Sequence, residues 1–196
     1  MKQPKIILAS TSPRRRELIQ NLGLPVEAVK NAADETVDEG LSPEEVVKTL
    51  AERKMVAAFQ KLEDVKNKIV VAGDTIVVLR NQILGKPCDK GDAFQMLNQL
   101  QGKTHTVYSG LACMNAESGE KIVDYHFTKV KMKPLNERQI KKYIETGEPM
   151  DKAGAYAIQG LGATIVERIE GDYFTVVGLP LSLLADMLGR LGVEIL

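Results

Sequence analysis

The apolar run Ile6-Ile7-Leu8-Ala9 gives way at once to Ser10-Thr11-Ser12-Pro13-Arg14-Arg15-Arg16, and that junction narrows the folds open to this chain. A short continuous apolar run reads as a buried strand, and a proline behind a serine reads as the first residue of a helix. Leu18, Ile19 and Leu22 then share one helix face before Gly23 ends it. A strand, a polar loop and a helix in succession are the unit from which α/β sheets are built.

The junction also carries an electrostatic anomaly. A second helix start, Ser42-Pro43-Glu44-Glu45, has Ser42 as N-cap and Glu45 placed to complete a capping box, with acidic residues at the positive end of the helix dipole. The first start reverses the charge. Three arginines at that end cost about 0.3–1 kcal/mol each unless an anion answers them. Such runs are ordinarily solvated faces. Here, backbone N–H groups, three hydroxyls and guanidinium forks together describe a phosphate site. Since 26 basic residues balance 26 acidic ones, any positive site must be local, and overall charge does not argue for nucleic acid or an anionic membrane.

The rest of the chain keeps alternating. Val26 to Val29 reads as a strand, the acidic stretch Asp34 to Glu39 as a loop, and Ser42 onward as a helix with Val46, Val47, Leu50, Ala51, Ala57 and Ala58 at helical spacing, Lys54 among them. Ile69 to Gly73 reads as a central strand delivering Asp74-Thr75 at its end, and Ile76 to Leu84 as a hairpin closed by Gly85-Lys86-Pro87. A helix around Ala93 to Leu100, a long antiparallel pair from Thr104 to Met114 and Lys121 to Met132, and a helix from Asn136 to Glu145 follow. Met150 to Gly162 is irregular, Ala163 to Ile169 a strand, Pro180 to Leu191 a helix and Val193 to Leu196 a last strand. The fold class is α/β with a mixed sheet. No apolar run reaches the roughly 18 residues of a membrane span, and Cys88 and Cys113 lack a CxxC spacing, so a reduced, cytoplasmic protein is expected.

Several side chains could carry chemistry. Asp74 stands where backbone can approach a ligand, either as a base or as an ordinary turn aspartate. A carboxylate with a pKa near ~4 needs help to act as a base, from a divalent ion shared with a second carboxylate or from its surroundings. Glu35 is the candidate second carboxylate, otherwise a solvated loop charge. Lys54 and Lys86 could neutralise phosphate oxygens. Asp151, Lys152 and Gln159 lie in a small-residue stretch that is either a tight structural loop or a lining, and the Gln159 amide can both donate and accept, as reading a nucleobase edge requires. His105 and His126 have no metal-ligand spacing and read as satisfied strand histidines. Walker, Rossmann and GxSxG patterns are absent from the sequence.

Ala9-Ser10-Thr11-Ser12-Pro13-Arg14-Arg15, Gly73-Asp74-Thr75, Leu84-Gly85-Lys86-Pro87, Asp151 to Gly160, and Gly171-Asp172-Tyr173 with Val177-Gly178-Leu179-Pro180 together resemble the Maf family, in order and over nearly the whole chain. The resemblance implies one Maf-like nucleotide pyrophosphatase domain over residues 1–196. Its expected architecture is an elongated, twisted, mixed sheet flanked by helices, two lobes around a positive cleft, similar to inosine triphosphate pyrophosphatases. Members cleave nucleoside triphosphates between the α- and β-phosphates with Mg²⁺ or Mn²⁺. By this resemblance Asp74 is the catalytic proton acceptor, and Arg14, Thr75 and Gln159 set substrate preference, in the manner of the branch acting on dTTP and UTP in a house-cleaning role. Ser10, Arg15, Lys54 and Lys86 match phosphate-binding positions, Asp151 and Lys152 other cleft positions, and Glu35 with Asp74 the metal site.

The chain departs from the family at Ala72-Gly73, where members commonly read Gly-Ala, and at Ala157, where they read Gly, both swaps among small residues. The implied partner is a nucleoside triphosphate, with neither nucleic acid nor membrane, and a homodimer is allowed by the resemblance alone. Two alternatives stay open: the same reaction on 7-methyl-GTP or another modified nucleotide, and a non-catalytic nucleotide-binding regulator of septum formation.

Overall fold

A computed structural model describes residues 3–30, 32–38 and 40–196; Met1, and Glu39 of the acidic stretch, lie outside the described residues. Among the described residues seven strands form one mixed sheet: β1 (Lys5–Leu8), β2 (Val26–Ala28), β3 (Lys68–Leu79), β4 (Gln82–Leu84), β5 (Thr104–Asn115), β6 (Lys121–Met132) and β7 (Val166–Glu170). Their order is β2-β1-β3-β5-β6-β7, with β4 also on β3. β1 pairs parallel with both β2 and β3, whereas β4 on β3 and β7 on β6 are antiparallel. The helices are α1 (Pro13–Asn21), α2 (Pro43–Phe59), α3 (Lys90–Leu100), α4 (Glu137–Glu145), α5 (Tyr173–Val177) and α6 (Leu181–Arg190). None of them, among the described residues, is long and apolar enough to cross a membrane.

The chain divides into two compact units. The first comprises the chain up to Asp74, Ser109–His126 and Gly178–Leu196; the second is Thr75–Tyr108 and Phe127–Val177. Each has its own core. In the first, Ala51, Met55 and Ala58 of α2 pack on Ile7, Val70, Ala72, Ala112 and Met114. In the second, Leu97 and Leu100 of α3 and Ile140, Tyr143 and Ile144 of α4 pack on Val77, Leu79, Val107, Val130 and Met132. The two cysteines are free thiols; burial pushes that of Cys113 up to about 12, and Cys88 is exposed.

Helix α2 starts as its sequence requires. Ser42 accepts from the Glu45 N–H at 3.3 Å, and Glu45 accepts from the Ser42 N–H at 2.9 Å, completing the capping box. What lets α2 lie directly on the sheet is Gly110 of β5. A Cβ there would sit 2.3 Å from the Val47 carbonyl oxygen and 2.5 Å from its carbon, inside any real contact distance.

Three sequence expectations are corrected. Asp74 is not at a strand end: β3 continues unbroken through it to Leu79, because β-branched residues flank it on both sides and the turn is deferred to Arg80-Asn81, both at positive φ as a two-residue hairpin requires. Val193 to Leu196 is not a strand. The Val193 N–H donates to the Leu188 carbonyl at 2.9 Å and the Gly192 N–H to Gly189 at 3.0 Å, with Gly192 at φ 82°, so Val193 is the apolar residue of a Schellman motif that ends α6. Ala163 and Thr164 belong to a 3-10 turn, and β7 begins at Val166.

Replacing Gly110 with alanine should drive α2 off β5 and destabilise the fold by about 1–3 kcal/mol or more. Urea unfolding of Gly110→Ala checks this, and an unchanged midpoint would mean that the helix does not rest on the strand backbone.

Candidate active site

Val70, Ala72 and Asp74 follow one another at two-residue spacing and so share the face of β3 on which α2 packs. On α2, Val47, Ala51, Lys54 and Ala58 form one helical stripe. The two periodicities bring Lys54 over Asp74. Its Nζ donates to Asp74 Oδ1 at 2.6 Å and lies 2.7 Å from Glu35 Oε1. The Asp74 and Lys54 side chains are 12% and 13% exposed, and that of Glu35 is 68% exposed. The two ion pairs therefore differ in kind. Lys54–Asp74 is withdrawn from water, where breaking one partner is expensive, and Lys54–Glu35 is a rim pair worth about 0–1 kcal/mol. Next to Glu35, Asp34 folds the loop through Thr36, whose N–H and Oγ–H both reach its carboxylate, and Arg53 donates to the Thr36 carbonyl.

The arginine-loaded helix start has an internal answer. β1 ends at Leu8, and one residue on the Ala9 N–H donates to the Val71 carbonyl of β3 at 2.8 Å. The Gly73 carbonyl, two residues further along β3, points to the same edge past the end of the β1 register. Arg15 Nη1 donates to it at 2.7 Å, and Arg15 Nε donates to the Gly178 carbonyl at 2.8 Å. Burial pushes the Arg15 guanidinium below its ordinary value, with the Asp74 charge opposing that shift and Arg14 adding to it. A Cβ on Gly73 would meet Gly110 O at 3.3 Å and Arg15 Cζ at 3.7 Å, so the glycine makes room at this junction. Ser10 is buried and its Oγ accepts from the Ser12 N–H at 3.1 Å, while Ser12 caps α1 through the Arg15 N–H. Arg14 is half-buried; Arg16 and Thr11 are exposed.

Arg15, Glu35, Lys54 and Asp74 are thus brought together in the first unit, and Ser10 stands in the same unit on the loop that leads into α1. Thr75, Lys86, Asp151, Lys152 and Gln159 belong to the second. Thr75 is half-buried and Lys86 exposed. The Gly154 N–H donates to the Gly85 carbonyl at 2.9 Å, tying the Gly85-Lys86-Pro87 turn to the small-residue stretch. Lys152 pairs with Asp151 and donates to the Glu148 carbonyl at 3.3 Å. Gln159 stands just before the 3-10 turn Gly160–Thr164, half-buried.

Sequence reasoning missed Glu148, whose carboxylate organises this stretch. It accepts from Tyr143 Oη at 2.8 Å, the Gly162 N–H at 2.8 Å and the Leu161 N–H at 3.0 Å. Desolvation raises its pKa, but these three donors and Lys152 outweigh it, and the carboxyl sits below its ordinary value. A lone glutamate after Gly147 gives no signal of this, because its partners come from a turn that has no periodicity. Asp172 is similar: its carboxylate accepts from the Thr175 N–H at 2.6 Å and Oγ–H at 2.8 Å, shaping the start of α5. His105 shares a hydrogen bond with Tyr156 Oη at 2.7 Å; burial lowers its pKa to about 4, keeping the ring neutral near pH 7.

The sequence pattern of the Maf family, Maf-like protein, matches residues 5–191, and the chain belongs to that family. A protein of Desulforamulus reducens named dTTP/UTP pyrophosphatase is 49% identical over 97% of this chain and 98% of its own length. Proteins of the same name from Thermoanaerobacter sp. and Clostridioides difficile are 50% and 47% identical, covering 95% and 94% of this chain and 96% and 94% of theirs. The solved structure of the Staphylococcus aureus Ham1 protein resembles the chain weakly, with a TM-score of 0.43 at 13% identity over 65% of this chain and 71% of that one.

Among the described residues no three His, Cys, Asp or Glu side chains gather closely enough to hold a metal ion by themselves. Magnesium does not need such a cage, since it commonly takes one or two carboxylates and completes its shell with phosphate oxygens and water. Glu35 and Asp74, both drawn to one ammonium, are a donor pair of that kind.

Lysine at position 15 could not serve two separated carbonyls with a fixed planar fork. Arg15→Lys should therefore lower unfolding free energy by about 1–3 kcal/mol through the strand-edge carbonyl left without a partner. Guanidinium denaturation is the check; wild-type stability would show that Gly73 and Gly178 are satisfied without Arg15.

Proposed function

We propose that the chain is a nucleoside triphosphate pyrophosphatase that hydrolyses dTTP and UTP to the monophosphate and pyrophosphate. The observation that carries this reading is the end-to-end match, at about half identity, to relatives that bear that name. The first unit supports it with a base and a cation in direct contact: the Asp74 carboxylate held on the Lys54 ammonium.

Asp74 acts as proton acceptor for the attacking water, and Lys54, already held by Asp74 and Glu35, offers its third donor and its charge to phosphate oxygens. Ser10, Arg15 and Lys86 add hydroxyl and positive charge for the departing pyrophosphate, the place where negative charge accumulates. Arg15 brings its charge while two of its five N–H groups serve Gly73 and Gly178. Arg14, Thr75 and Gln159 select the base, and Asp151 and Lys152 supply further polar lining. Glu35 and Asp74 would hold the divalent ion, which supplies charge neutralisation on the triphosphate and a more acidic water. The reading takes the enzyme as cytoplasmic and its substrate as the free nucleotide.

Incubation with dTTP, UTP, the other triphosphates and 7-methyl-GTP in the presence of Mg²⁺, with the released phosphorus species separated, tests it. Pyrophosphate from dTTP and UTP is expected, and Asp74→Asn should lower turnover about 100-fold or more while still unfolding cooperatively. Orthophosphate release, or a preference for 7-methyl-GTP, would overturn the substrate reading. Near wild-type turnover by Asp74→Asn would remove Asp74 from its role.

A further inference from the structure

Gln159 sits in a turn whose two ends hang from one carboxylate. On its N-terminal side the Ala157 N–H donates to Tyr143 Oη at 3.1 Å, and Tyr143 Oη in turn donates to Glu148 Oε1 at 2.8 Å. On its C-terminal side the Leu161 N–H reaches Glu148 Oε2 at 3.0 Å and the Gly162 N–H reaches Oε1 at 2.8 Å. The turn has no slack. A Cβ on Gly160 would stand 2.6 Å from Glu148 Oε2, and one on Gly162 would stand 2.1 Å from the Ala157 carbonyl oxygen and 2.6 Å from Tyr143 Oη. Gly160 also needs its φ of 63° to close the turn onto the carboxylate. One residue before Ala157, Tyr156 is buried and bonded to His105, so the N-terminal side of the turn is fixed as well.

We infer that Glu148 is a positioning residue for base selection: its carboxylate, with Tyr143 as a relay, sets where the Gln159 amide stands. This rests on the reading of Gln159 as a base-selecting residue. Hydrogen-bonded recognition of a base edge depends on a donor and an acceptor held to fractions of an ångström, and a displacement of about 1 Å can cost on the order of 100-fold. The Glu148 carboxylate is spent on the turn, so its influence passes through backbone. It should therefore alter discrimination among bases while leaving the chemical step alone.

The test is a double-substitution cycle on the full chain with Mg²⁺, reading kcat and KM for dTTP, UTP, CTP and GTP. Glu148→Gln keeps the side-chain volume but replaces one acceptor with a donor that faces backbone N–H groups. It should raise KM for dTTP and UTP and reduce their preference over CTP and GTP about tenfold, with kcat changed less than about twofold. In a Gln159→Ala background the same change should have no further effect on preference. If Gln159→Ala lowers preference and Glu148→Gln does not, the positioning role is overturned and the reading of Gln159 stands. If Glu148→Gln acts equally in both backgrounds, its effect does not pass through Gln159 and the inference is overturned. If Gln159→Ala leaves preference intact, the reading of Gln159 itself falls. Should Glu148→Gln fail to fold, Tyr143→Phe, which removes the relay hydroxyl and leaves the ring in the core, carries the same expectations and the same contrary outcomes.

Discussion

The first unit depends on a carboxylate that has been taken out of water. Asp74 is 9% exposed in the middle of a central strand, a position tolerable for an ionised group only with a partner at hand. Lys54 is that partner, and the architecture around it reads as the means of delivering it. Alanines on α2 and β3, together with Gly110 on β5, let the helix approach the sheet backbone, and the capping box fixes where the helix begins and hence which side chain comes over Asp74. A bulkier interface would hold the ammonium away. Glu35 joins from a solvated loop, adding a second carboxylate to the same nitrogen at little energetic consequence for folding.

The arginines at the start of α1 complete this frame from the other side. Their charge is answered in part by the protein itself: the carbonyls of Gly73 and Gly178 accept from Arg15, and Asp74 opposes the lowering of its pKa. Arg15 thereby closes the edge that β1 leaves open and ties β3 to the segment entering α6. The Arg15 charge is thus oriented by the fold itself, before any ligand is present. Arg16 takes no part, standing exposed on the helix.

Where local chemistry decides structure, the sequence was legible. The Ser42 capping box, the buried strand before Ser10, the long pair β5 and β6 and the β3–β4 hairpin follow from periodicity and turn residues, although the hairpin turns at Arg80-Asn81, one residue before the Asn81-Gln82 that the sequence suggests. The proximity of Lys54 to Asp74 could be anticipated as chemistry but not as geometry, because two periodicities from distant segments must coincide in space. Asp74 was expected at a strand end because a glycine and an acid usually mark one, and the structure instead threads the strand through it. Val193 was misread because an apolar residue after Gly192 satisfies a helix stop as readily as it starts a strand. Glu148 was invisible, since its partners are mostly backbone N–H groups in a turn whose shape is set by Gly160 and Gly162.

Unfolding free energies of Lys54→Met, Asp74→Asn and the double variant read most directly whether Lys54 is the partner that lets the Asp74 carboxylate sit buried in β3. A loss of about 3–5 kcal/mol is expected in Lys54→Met, most of it recovered when Asp74→Asn removes the stranded carboxylate, with hydrolysis strongly lowered in both. A Lys54→Met protein as stable as the wild type, or a double variant no more stable than Lys54→Met, would contradict that role of Lys54.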